Sequence, residues 1–159
     1  MEKSVEEIKA HILKIFPKLA QDEHFEITSE ASDNYNCIAW AYNITDRWMW
    51  PNTEHSRFLD GIDYWPSDEI LNSDVSHFIK AFELLGYRVC ENCKFDPKYR
   101  KIALYVKSNS TKCTHAAREL ENGLWTSKLG KEVDIQHGTP YTIENDIYGK
   151  AYCFMKTIH

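Results

Sequence analysis

The residues with the most chemical potential lie in Asp33-Asn34-Tyr35-Asn36-Cys37-Ile38-Ala39-Trp40-Ala41. Turn formers give way to one cysteine and then to a short apolar segment. Asn36 is therefore expected to cap a helix with Cys37 in its first turn. Unpaired N–H groups and the positive end of the helix dipole favour a thiolate there and lower its pKa. The same N–H groups can hold an oxyanion that forms beside the sulfur. A lone cysteine is, more simply, a small buried hydrophobe. A matching histidine separates the two readings, and His115, in Lys112-Cys113-Thr114-His115-Ala116-Ala117-Arg118, supplies one. It begins a strand among small residues, where an imidazole can take the thiol proton and return it to a leaving group.

A third polar residue follows from hairpin register. Residues 112–120 and 124–129 flank Glu121-Asn122-Gly123, a good hairpin signal. A two-residue Asn-Gly loop puts His115 on one face with Thr126 and Lys128. A three-residue loop with Gly123 in the left-handed region shifts the register and puts Ser127 there instead. Asp134 and His137 are rivals if the loop beyond folds back. Lys128 beside the ring would disfavour imidazolium, so it is expected to point away or to hold a substrate carboxylate.

A metal site competes for the same histidine. Cys90-x-x-Cys93 and Cys113-x-His115 offer four zinc-type ligands in two close pairs, and strand alternation puts Cys113 and His115 on one side. If zinc is held there, His115 is a ligand and not a base. Two aromatic-proline segments, Trp48-Met49-Trp50-Pro51 and Tyr64-Trp65-Pro66, show neither helical nor strand period and read as ordered loops. They either wall a substrate cleft, with Trp48 and Trp50 as contacts, or cover the core. His55 between them has no evident partner. Gly-rich phosphate loops, HExxH, GxSxG and deaminase patterns are missing from the sequence.

The elements that must position these residues are legible in outline. Val5, Ile8, Ile12, Ile15, Phe16 and Leu19 are spaced for one face of a helix over 3–19, which Pro17 ends or bends. Residues 20–34 read as a connection to the Cys37 helix. Ser73-Asp74 opens a further helix that stops at Gly86. Strands are expected at 87–90, 101–107, 112–120, 124–129 and 149–155, with a loop and a short helix around Pro140. Helices first and a meander of strands after them describe an α+β fold, with N-terminal helices packed on a small antiparallel sheet.

The 159 residues suit one domain, taken as 1–159. With 43% apolar and 13% aromatic residues the chain is globular. A net charge of −5 with mixed signs argues against a broad nucleic-acid-binding face, and no apolar run approaches a membrane span. Five cysteines without a secretory signal point to reduced thiols in the cytoplasm.

This order of parts resembles the papain-like cysteine hydrolases, especially the NlpC-type subgroup. There a Cys opens a helix, a His starts a strand, and a third polar residue follows across a Gly-containing hairpin. The resemblance spans roughly residues 32 to 130 and implies a papain-like, NlpC-type architecture. It also implies peptidase- or amidase-like activity on a peptide or small amide-containing substrate, with no cofactor. The subgroup's spacing lands on Ser127, which favours the three-residue loop, and a tyrosine near its nucleophile suggests Tyr35 as an oxyanion donor. The subgroup's usual Asp-Cys-Ser-Gly is not present. More closely, Tyr-Asn-Cys-Ile-Ala-Trp-Ala, Thr-His-Ala-Ala-Arg-Glu-Leu and Trp-Thr-Ser-Lys-Leu-Gly are similar to a family of uncharacterised bacterial proteins, nearly to the C-terminus. The expected function is therefore a cysteine hydrolase. Cys37 would be nucleophile and His115 base, with Ser127 or His137 orienting the ring and Tyr35, Asn36, Trp48, Trp50 and Lys128 around the substrate. The alternatives are a non-catalytic binding module with an aromatic loop surface and a small structural zinc protein.

Overall fold

A computed structural model describes residues 4–51, 63–66, 72–129 and 132–158. Its strands, in chain order, are β1 (Glu26–Ser29), β2 (Trp48–Met49), β3 (Asp63–Tyr64), β4 (Arg88–Cys90), β5 (Tyr99–Val106), β6 (Cys113–Glu119), β7 (Trp125–Lys128), β8 (Asp134–His137) and β9 (Lys150–Ile158). Seven of them form one sheet in the order β1-β8-β7-β6-β5-β9-β4, antiparallel at every step, and β2 and β3 form a short parallel pair apart from it. The helices are α1 (Val5–Ile15), α2 (Cys37–Ala41) and α3 (Val75–Leu84), of 11, 5 and 10 residues. Among the described residues no helix is long and apolar enough to cross a membrane.

This is a mainly-β fold. The expected papain-like, NlpC-type α+β arrangement, N-terminal helices on a small sheet, is not the one found. Two strands account for much of the difference. Residues 26–29, expected as part of a connection, form the edge strand β1, and Asp134-Ile-Gln-His137 forms β8 and widens the sheet. Helix formation is also shorter at the start of the chain. α1 ends at Ile15, and Pro17, which has no N–H to donate, opens a separate 3₁₀ turn over Pro17–Gln21.

Both faces of the sheet are covered, so β5 reads as a nearly continuous apolar run and buries six consecutive residues. On one face α2 and α3 pack against Ile102, Leu104, Ala116 and Met155. On the other, α1 and the turn after it pack against Tyr105, Ala117, Trp125 and Ile135. The hairpin between β6 and β7 takes the three-residue loop, with Leu120 N–H donating to Leu124 C=O and Gly123 at φ +87°. This pairs Arg118 with Thr126 and Glu119 with Trp125. Beyond those two positions the β6–β7 ladder stops, and α2 sits over the seam, with Trp40 Nε1 donating to Thr126 Oγ1 at 3.0 Å.

Candidate functional site

Asn36 positions the cysteine. Its Oδ1 accepts from Ala39 N–H at 3.1 Å, capping α2, and from Met49 N–H at 3.0 Å, while its Nδ2 donates to Met49 C=O at 2.8 Å. The amide, expected to face substrate, is thus fully engaged in tying the start of α2 to β2. Cys37 occupies the first helical position with its sulfur facing the N–H groups of Ala116, Ile38 and Cys37 itself. It is 8% exposed, and burial pushes its thiol up to about 11 despite those N–H groups and the nearby Lys128 charge. The expected lowering is reversed because a five-residue helix offers few aligned dipoles against the cost of removing a thiolate from water.

His115 lies opposite Tyr105 in the β5–β6 ladder, and its fully buried ring stacks on Tyr148 with centroids 4.1 Å apart. The ring therefore belongs with the α1 side of the sheet, whereas Cys37 belongs with the α2 side. His115 Nε2 lies 3.0 Å from Ser127 Oγ, Ser127 Oγ lies 2.8 Å from His137 Nε2, and His137 Nδ1 lies 2.8 Å from Thr139 C=O. The directions of these bonds follow from elementary valence. A carbonyl only accepts, so His137 carries its proton on Nδ1. Burial lowers the His137 pKa to about 4, so its ring is neutral and Nε2 accepts the Ser127 hydroxyl proton. Ser127 has no second proton, so His115 donates to it from Nε2. Burial holds the His115 pKa well below the usual imidazole range, so this ring too is neutral. Its Nδ1 is then a bare lone pair, and it is buried with no hydrogen-bond partner. The structure thus brings Ser127 and His137 together with His115, the two residues in series. No hydrogen bond joins His115 to Cys37.

On the α2 side of the same strands lies a second polar group. Tyr35 Oη and Ser29 Oγ both donate to Asp134 Oδ2 at 2.6 Å, and Lys128 Nζ sits 5.0 Å from the centre of the Tyr35 ring while donating to Glu132 C=O. Burial and Asp134 raise the Tyr35 phenol to about 12. Its hydroxyl is committed to that carboxylate and cannot also serve an oxyanion beside Cys37. Lys128 points away from the His115 ring, and burial lowers its pKa in spite of Asp134.

The proposed zinc ligands do not converge. Thr114 is an extra residue in β6, because Tyr105 pairs with His115 and Val106 with Cys113. That bulge breaks strand alternation and sends Cys113 to the α2 side and His115 to the other. Cys90 lies on β4, at the far edge of the sheet. Among the described residues no three His, Cys, Asp or Glu side chains gather as a metal would require. The aromatic segments serve the core: Trp50 and Trp65 meet Phe78 edge-on with centroids 5.1 Å away, and Trp65 is 2% exposed. Trp48 is half-buried and donates to Asp33 C=O at 2.6 Å. His55 lies outside the described residues.

The chain belongs to a family defined by a domain of unknown function (DUF7689), whose model matches residues 26–156. No curated protein and no solved structure shows significant similarity to it.

Proposed function

We propose that this chain is a thiol-dependent acyl-transfer enzyme, a cysteine hydrolase acting on an amide, ester or isopeptide carbonyl. The observation that carries the proposal is the bare, buried Nδ1 of His115. An unpartnered acceptor in a protein interior costs about 1–3 kcal/mol, so its persistence asks for a role. The relay from Thr139 through His137 and Ser127 fixes the tautomer in which that nitrogen is free to take a proton. The next residue along β6, Ala116, presents its N–H to the sulfur of Cys37.

In this reading Cys37 is a neutral thiol at rest. On substrate entry His115 Nδ1 takes the thiol proton, sulfur bonds to the carbonyl carbon, and the carbonyl π pair moves to oxygen, where N–H groups of Cys37 and Ala116 stabilise it. The tetrahedral species collapses, the leaving group departs with the proton from His115, and water releases the acyl group by the same steps in reverse order. At rest the thiol and the imidazole belong to opposite faces of the sheet and no hydrogen bond joins them, so the first step requires a rearrangement that brings them together beyond the point where the β6–β7 ladder ends.

A second reading has its own support. The burial of both groups and the raised thiol pKa suit a non-catalytic module in which the relay is a polar staple within the core. Treating the folded protein with p-nitrophenyl acetate and mapping acetylated residues by mass separates the two. The hydrolase reading expects transient acetylation of Cys37 with multiple turnovers, lost in Cys37→Ser and in His115→Ala. Labelling confined to the half-exposed Cys90, Cys93 and Cys153, and indifferent to His115, favours the non-catalytic module.

A further inference from the structure

We infer that the cleft between the end of α2 and the β6–β7 hairpin is an oxyanion-binding site, which takes the carboxylate or phosphate group of a small organic ligand on Arg118. The inference is independent of the Cys37 reading. The cleft has a volume of about 510 Å³, within the range of small-ligand sites. Its polar wall is formed by Arg118, Arg100, Tyr42 and Tyr87.

Arg118 is held in place before any ligand arrives. Its Nε donates to Trp40 C=O at 3.1 Å, and the guanidinium lies over the Trp40 ring, 4.7 Å from its centre. One edge and one face of the fork are thus fixed, while among the described residues no acceptor engages either Nη nitrogen. The same holds for the hydroxyls of Tyr42 and Tyr87, whose rings stand 6.5 Å apart. Burial raises the Tyr87 phenol above its ordinary range, with Arg100 and Arg118 acting against the rise and Tyr42 adding to it.

These are donors in want of an acceptor, with positive charge behind them. Burial lowers the Arg118 pKa, and Arg100, two residues before the Ile102 that pairs with Arg118, adds a like charge beside it. Tyr87 and Asp134 offset part of that cost, and a bidentate oxyanion is the further partner its planar fork fits best. Two carboxylates also border the cleft. Glu121 is exposed in the hairpin turn, and burial, helped by Asp96 and opposed by Lys101, raises the carboxyl of Glu119, the strand neighbour of Arg118, to about 7. Neither bonds to the fork.

Titration of the full chain with benzoate and with phenyl phosphate, followed by calorimetry and by the Arg118 Nε–H resonance, tests this and tells the two anions apart. Saturable binding of either probe is expected, with the Arg118 signal shifting. Affinity should fall about tenfold or more in Arg118→Gln, less in Arg118→Lys, and a few-fold in Tyr42→Phe. Should Arg118→Gln fail to fold once its contact with Trp40 is lost, the Tyr42→Phe change and the wild-type Arg118 resonance decide. Failure of both probes to saturate at millimolar concentration, or binding that ignores Arg118 and Tyr42, overturns the inference.

Discussion

Strands β6, β7 and β8 bury polar side chains on both faces of the sheet, and the two faces handle them differently. On the α1 side, His115, Ser127 and His137 form a neutral chain, each ring held to one tautomer by its neighbour and all three residues fully buried. On the α2 side, Lys128, Asp134, Tyr35 and Ser29 form a charged group around one carboxylate. Each leaves one acceptor unmatched, His115 Nδ1 in the first and Asp134 Oδ1 in the second. The neutral chain defines where a proton can go; the charged group holds the start of the Cys37 segment on the sheet. The neutral hydrogen-bonded chain and the anchorage of the Cys37 segment thus lie on opposite faces of the sheet.

Breaking the charged side should cost most. Asp134→Ala strands two hydroxyl donors and removes the carboxylate nearest to a fully buried lysine. A loss of about 3–5 kcal/mol is expected in urea unfolding. Ser127→Ala breaks the neutral side by leaving His115 Nε2–H and His137 Nε2 unpaired. Its expected cost is smaller, about 2–3 kcal/mol by the same measurement, because no charge is stranded.

The two sides also differ in how pH reaches them. His115 and His137 both have folded-state pKa values below the ordinary 6.5, that of His137 about 4. The unfolded chain therefore binds more protons than the folded one between these values, and stability rises with pH across that window. It is complete above about 6.5 and is lost as pH falls towards 4, with a slope approaching two protons in unfolding measured against pH. In Ser127→Ala the window should persist with altered midpoints. In His137→Phe the slope should approach one. Cys37 acts in the opposite sense. Its raised pKa contributes stability that is complete below the ordinary thiol value and is lost as pH rises towards about 11.

The smallest expected effect concerns the clamp at the start of α2. Asn36→Ala removes the cap and both bonds to Met49, at an expected cost of about 1–2 kcal/mol. It should also raise the rate at which a small alkylating reagent reaches Cys37, followed by mass. An unchanged rate would mean that Asn36 does not govern access to the thiol.

Local chemistry in the sequence located much of the site. Turn formers ahead of an apolar run marked the cap at Asn36; the Glu-Asn-Gly turn left two registers open, and the structure takes the one with Gly123 left-handed that puts Ser127 beside His115. The fold was less legible. β8 reads Asp-Ile-Gln-His, with one apolar residue in four, because its polar side chains are buried by pairing with partners distant in sequence. β1 is an edge strand whose mostly exposed residues carry little alternating signal. The bulge at Thr114, which separates Cys113 from His115 and removes the zinc geometry, has no composition cue. No sequence signal marks Arg118, because its stacking on Trp40 depends on α2 lying across the β6–β7 seam.

The central claim is that His115 keeps a bare Nδ1 within the fold. Long-range proton–nitrogen NMR correlation on labelled protein at neutral pH reads this directly. The account predicts that His115 is protonated at Nε2 alone, that His137 is protonated at Nδ1 alone, and that neither ring titrates near 6.5. A His115 ring protonated on Nδ1, or one that titrates as a free imidazole, would contradict it.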